Sequence, residues 1–129
     1  MSFDVFFQRF RDGDGATGGG EQMRQVLQPF IVREDRDLGF ALVEYGDGSA
    51  DVYLGGGGVA GMMANHISGE RPWGLLVEGA RAADWVILPV GCPTCITDEG
   101  QRGHLPDGLD EDVVLVRSGD ELLRVIRSS

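Results

Sequence analysis

Residues 73–95 read WGLLVEGARAADWVILPVGCPTC, and the fold turns on how this stretch divides. Trp73, Leu76, Val77 and Ala80 recur at i, i+3, i+4 and i+7, which predicts a helix from Trp73 to Ala83 with these residues on one face. Pro72 precedes it and suits a first helical turn, where its missing N–H would have had no partner. The run Trp85-Val86-Ile87-Leu88 contains no polar residue, as a strand covered on both faces requires, so Trp85–Val90 is predicted to be central in a sheet. Pro89 cannot donate to a ladder and predicts a stop or a bulge. The loop Gly91-Cys92-Pro93-Thr94-Cys95 then lies just past the end of a central strand. In α/β sheets ligands are commonly held at such a place, an analogy of fold alone.

Working upstream, Val59–Ile67 is predicted as a strand preceded by a turn at Gly55–Gly58. Leu38–Tyr45 and Ala50–Leu54 read as two strands joined through Gly46-Asp47-Gly48-Ser49. Glu21–Phe30 reads as a helix, with Met23, Val26, Leu27 and Phe30 on one face and Pro29 placed to end or kink it. Arg11–Gly20 is a glycine-rich loop, and Ser2–Phe10 reads as the first strand. Downstream, Ile96–Asp112 has no periodicity and is predicted as a loop of 17 residues, a length usual for functional or mobile loops. Val113–Val116 is a short strand, and Ser118-Gly119-Asp120-Glu121 is a capping box before a helix with Leu122, Val125 and Ile126 on one face. The order β-α-β-β-β-α-β-β-α predicts a single α+β domain over residues 1–129. Its sheet should be mixed or mostly antiparallel, with helices on one face.

Charge narrows the function classes. There are 21 acidic and 11 basic residues, for a formal net charge of −10, and every basic residue is an arginine. Without lysine, Schiff-base and Walker-lysine chemistry are excluded. Nucleic acid as a partner is disfavoured, because a phosphate backbone calls for a basic footprint. The acidity favours solubility, as a solvated acidic surface, or a basic protein partner. No apolar run approaches the roughly 20 residues of a membrane span. The start Met1-Ser2-Phe3-Asp4 shows no secretory pattern, and two cysteines make no disulfide framework, so a reducing cytoplasm is expected.

Three stretches carry candidate chemistry. Asn65-His66-Ile67-Ser68-Gly69-Glu70-Arg71 sets polar residues just before the N-terminus of the 73–83 helix. Asn65, His66 and Arg71 are candidate ligand-binding groups there, because such an N-terminus attracts anions and Arg71 offers a fork of donors. The alternative is a capping loop, with Ser68 or Glu70 satisfying helix N–H groups. Cys92-x-x-Cys95 is half of a tetrahedral zinc site that His66 and His104 would complete. It also resembles the spacing of a dithiol redox site, although the residues after Cys95 do not continue as the helix such a site uses. A third reading makes both cysteines small apolar packing groups in a tight turn. The acidic segment Asp98, Glu99, Asp107, Asp110, Glu111 and Asp112 is a candidate partner surface. Asp12-Gly13-Asp14-Gly15 begins like a calcium loop, but Ala16, Thr17 and Met23 break the pattern. Gly18-Gly19-Gly20 would present bare N–H groups to an anion, with no lysine to support it. No nucleophile elbow and no carboxylate pair spaced for acid–base work stands out.

The opening Met1-Ser2-Phe3-Asp4-Val5-Phe6 and the ending Val116-Arg117-Ser118-Gly119-Asp120-Glu121-Leu122-Leu123 resemble a group of short uncharacterised bacterial proteins. In that group an M-S-F-D-V start and an R-S-G-x-x-L end bracket a similar α+β pattern. The resemblance implies a fold and no catalytic residues. The expectation from sequence is thus a small acidic, non-enzymatic binding or regulatory protein, immunity-like in character. The alternatives are a small-molecule or zinc site at Cys92, Cys95, His66 and His104, and a thiol redox protein.

Overall fold

β1 (Val5–Arg11) lies between β6 (Gly61–Asn65) and β7 (Val86–Pro89) and runs antiparallel to both. The computed structural model describes residues 3–54 and 61–129, so the turn expected at Gly55–Gly58 and the first two residues expected in the 59–67 strand lie outside the described residues. Register explains the core. Val5 pairs with Ala64 and Pro89, and Phe7 with Met62 and Ile87. All six residues are buried on one side of the sheet. Phe6, between Val5 and Phe7, points to the opposite side, as strand alternation requires.

The sheet extends both ways from this centre in the order β3-β4-β5-β6-β1-β7-β8-β9. On one side stand β5 (Gly48–Leu54), β4 (Phe40–Tyr45) and the edge strand β3 (Ile31–Asp35). On the other stand β8 (Thr94–Ile96) and β9 (Val113–Leu115), paired in parallel, and the short β2 (Asp14–Ala16) folds back on β1. Three helices, α1 (Gly20–Leu27), α2 (Arg71–Ala83) and α3 (Gly119–Arg127), share one core with the inner face of the sheet. The α+β class, the mostly antiparallel sheet and the one-sided helix layer agree with the sequence reading. The element order does not. It is β-β-α-β-β-β-β-α-β-β-β-α, because the sequence reading lacks β2, β3 and β8.

Each missing strand has a physical reason. The run of β3, IVRED, is charged because it is an edge strand, with Val32 bulged out and 55% exposed. β8 has three residues and no alternation to read, since Thr94, Cys95 and Ile96 are all buried. It replaces the expected loop, and the 17-residue loop shrinks further because Glu99–His104 forms a 3-10 helix. β2 is a glycine-rich hairpin return. The other boundaries shift modestly. The first helix ends at Leu27, and Pro29 lies within the 3-10 turn Gln28–Phe30 that follows.

Trp85 is fully buried just before β7, and its indole N–H donates to Gly18 O at 2.8 Å. The helix layer is set by two close approaches. At Gly79 of α2 a Cβ would meet the flexible end of Met23 from α1. At Gly119, which opens α3, a Cβ would sit 2.7 Å from Gly74 Cα, a backbone atom that cannot swing away. Gly119→Ala should therefore destabilise the fold by about 1–3 kcal/mol through overpacking. Gly74→Ala, whose Cβ meets nothing within 4 Å, should be neutral or stabilising by up to about 1 kcal/mol through helix propensity. Urea unfolding of the two variants beside the parent checks both signs.

Candidate functional site

The segment before α2 is a structural lock. The helix N-cap position, Glu70, makes no side-chain cap, and neither Ser68 nor Glu70 takes the expected capping role. The cap comes from a different part of the chain. Asp47, at the tip of the β4–β5 hairpin, accepts the N–H groups of Arg71 at 2.9 Å and Glu70 at 3.0 Å. Those donors, Arg71 first, favour the ionised carboxylate and hold its pKa below the ordinary aspartate value. Gly69, with φ +72°, lies so close to Asp47 that a Cβ would stand 2.8 Å from its carbonyl. The guanidinium of Arg71 lies 5.1 Å over the ring of Tyr45, so its fork packs against the hairpin. Ser68 adds a hydrogen bond to the Ser49 N–H.

His66 and Asn65 are likewise engaged. His66, in a left-handed backbone conformation with φ 49°, sets Nδ1 2.9 Å from Asp51 Oδ2. Asn65 donates from Nδ2 to Asp4 Oδ1 at 3.2 Å, while its Oδ1 is buried with no hydrogen-bond partner among the described residues. Asn65, His66 and Arg71 thus belong to three different contacts.

Of the four zinc candidates the two cysteines are neighbours, while His66 is held by Asp51 and His104 by the β1–β2 turn. His104 sits at the β1–β2 turn, where its Nδ1 accepts the Asp12 N–H at 3.0 Å and its carbonyl accepts the Gly13 N–H at 3.0 Å. Cys92 follows β7 in a turn, its thiol directed at Val90 O, and Cys95 is buried inside β8 against the main core. Both thiols are free. Among the described residues no group of three or more His, Cys, Asp and Glu side chains could hold a metal. Burial above all, then neighbouring Cys92 and Asp112, pushes the Cys95 thiol up to about 12.

The acidic segment is divided between structure and solvent. Asp98 caps the 3-10 helix by accepting the Gly100 N–H, and Asp110 accepts the Gly108 N–H. Glu99 takes two hydrogen bonds from Arg102, at 3.0 and 3.1 Å, which hold it below the usual glutamate value. Asp107, Glu111 and Asp112 are exposed. Buried Gln101 fastens the segment to the body. It accepts from Thr97 N at 2.8 Å and donates to Asp84 Oδ1 and Thr97 Oγ1, each at 3.0 Å. An open groove of about 630 Å³ beside it is lined by Glu78, Arg81, Asp98, Glu99 and Arg117, and the hydroxyl of buried Thr97 in its wall is already bonded to Trp85 O.

One surface has no counterpart in the sequence reading. On the side of the sheet away from the helices, Leu88, Phe6, Met63, Tyr53 and Phe40 are register partners in turn, forming one row across β7, β1, β6, β5 and β4. Phe6 is 44% exposed, and the Phe40 and Tyr53 ring centroids lie 5.3 Å apart. Each residue occupies the outward position of a strand whose inward positions are apolar too. That double apolarity was the signal in the sequence.

No helix among the described residues is long and apolar enough to cross a membrane. No protein-family model, no curated protein and no solved structure matches this chain.

Two outcomes follow from this geometry. A carboxyl whose pKa is depressed in the fold adds stability above its unfolded value and loses it as pH falls through the folded value. Asp47→Ala should therefore lower the urea midpoint at pH 7, and the gap to the parent should close as pH falls below about 4. With a thiol-specific chromogenic reagent at pH 8, half-buried Cys92 should react first and Cys95 only on unfolding. Rapid reaction of both thiols in the folded protein would contradict the burial of Cys95.

Proposed function

We propose that this chain is a non-enzymatic binding protein, regulatory or immunity-like, whose partner is a basic protein. The observation that carries the reading is the use of its arginines. Arg9, Arg24, Arg36, Arg102 and Arg127 stand in ion pairs with Asp84, Glu34, Glu99 and Glu70. Arg33 and Arg71 lie over the rings of Phe40 and Tyr45. The scarce cations are largely engaged within the molecule, and the excess carboxylates face solvent. The result is a surface with one dominant sign, which steers an oppositely charged partner and slows association with a like-charged one.

The chemistry of the described side chains supports binding over catalysis. Among the described residues the buried polar side chains are Thr94, Thr97 and Gln101, none of them ionisable, and the buried thiol, Cys95, is held protonated by its burial. A general acid or base is usually tuned by burial or by a like-charged neighbour, and the shifted carboxylates here, Glu34, Asp47 and Glu99, are lowered by structural hydrogen bonds.

A partner identified by cross-linking should be basic. Its association rate with the purified chain should fall by about 10- to 100-fold between low and high salt, while the dissociation rate changes far less. An acidic partner, or an association rate indifferent to ionic strength, would overturn the reading.

A further inference from the structure

We infer that the partner docks on the outer face of the sheet, centred on the row Phe6, Met63, Tyr53 and Phe40, and that it presents an apolar centre flanked by arginine or lysine. The inference rests on the basic-partner reading and adds the surface and the chemistry of the contact.

Among the described residues the three α-helices lie on the opposite side of the sheet, and the 3-10 segment covers the end near β7 and β8, where Val86, Ile96 and Leu105 form a second small core that Leu88 also packs against. Beyond that cover, the outer face of an antiparallel sheet normally turns polar. Here four strands in succession, β1, β6, β5 and β4, place Phe, Met, Tyr and Phe at one level. Aromatic residues and methionine are the types enriched at the centres of protein interfaces.

The neighbouring positions fix the sign of the partner. Asn65 and Asp51 are register partners in the next row, and Asp4 bonds to Asn65 at its end. Glu44 shares the outer face of β4 with Phe40, and Asp35 pairs with Phe40 from the edge strand. Beside the carboxylates Asp35, Glu44 and Asp51 stand Arg33, whose guanidinium lies 5.6 Å from the Phe40 centroid, and His66, whose Nδ1 lies 2.9 Å from Asp51 Oδ2. The apolar row is thus flanked by carboxylates along one side and at its β3 end. A second copy of the chain would bring the same carboxylates and a second charge of −10 against it. A basic partner satisfies both the row and its carboxylates.

The test uses the full chain, isotopically labelled, titrated with a synthetic peptide that alternates arginine with leucine and tryptophan. A control peptide of equal charge carries serine at the apolar positions. Amide shifts should cluster on β1, β4, β5 and β6, and the control should bind at least about tenfold more weakly. Phe6→Ser and Tyr53→Ser, each checked for the parent's fold by circular dichroism, should each weaken the first peptide by about tenfold, whereas Glu111→Gln should not. Shifts confined to residues 98–112 would overturn this placement and leave the basic-partner reading standing. Equal binding of both peptides, spread over the surface, would overturn it as charge alone. Binding of neither peptide at low salt would overturn the basic-partner reading with it. A dimer in sedimentation that Phe6→Ser converts to monomer would reassign the face to a second copy.

Discussion

Four parts of the chain meet at Trp85. Its indole N–H reaches Gly18 O ahead of α1, and its backbone N–H reaches Ala80 O at the end of α2. Its carbonyl accepts the Thr97 hydroxyl, and through Thr97 and Gln101 the 3-10 segment is tied in as well. A buried indole donor left unpaired costs on the order of 1–3 kcal/mol, so the hydrogen bond sets the position of the α1 entry as well as its strength. Gly19, with φ 97°, is the residue that allows this approach, since a Cβ there would lie 2.5 Å from the indole nitrogen. The turn at Asp84, in the left-handed conformation after α2, delivers Trp85 into the core, and Arg9 of β1 and Gln101 both bind the Asp84 carboxylate. The central strand, two helices and the crossover between β8 and β9 are therefore positioned by one residue and its immediate neighbours.

Much of this was legible in the sequence wherever a segment is amphipathic over several turns or pleats. The helix stripes at Trp73-Leu76-Val77-Ala80 and Met23-Val26-Leu27 and the cap at Ser118 report their own burial. Ser118 does accept the Glu121 N–H, although Glu121 reaches back to Arg117 N in place of the cap residue. β3 and β8 were not legible, because an edge strand is dressed in charge and a strand of three buried residues has no period. The Asp47 cap was not legible for another reason. It joins residues 23 and 24 positions apart in the chain, and capping rules read only the residues next to the helix.

The same gap between neighbours in sequence and neighbours in space governs the candidate sites. Asn65, His66 and Arg71 follow one another closely, yet a strand end alternates its side chains and the turn to α2 rotates the chain again. Each residue therefore meets a different partner: Asp4, Asp51 and Tyr45. The histidines fare alike, one held at the β5–β6 side and the other at the β1–β2 turn. Of the polar residues before α2, Ser68, Glu70 and Arg71 fasten the β4–β5 hairpin to that helix.

Two properties that pull in opposite directions have a common explanation on the docking proposal. An apolar row on an open sheet face favours self-association, and a charge of −10 opposes it. The charge is not needed for the fold, whose cohesion lies in the core and in local pairs such as Arg24–Glu34. A chain that keeps both can remain apart from its own copies while holding a hydrophobic surface ready for a partner that neutralises the flanking carboxylates. Removing the carboxylates alone would then cost selectivity before it cost contact, and removing the aromatic row would cost contact while leaving long-range attraction in place.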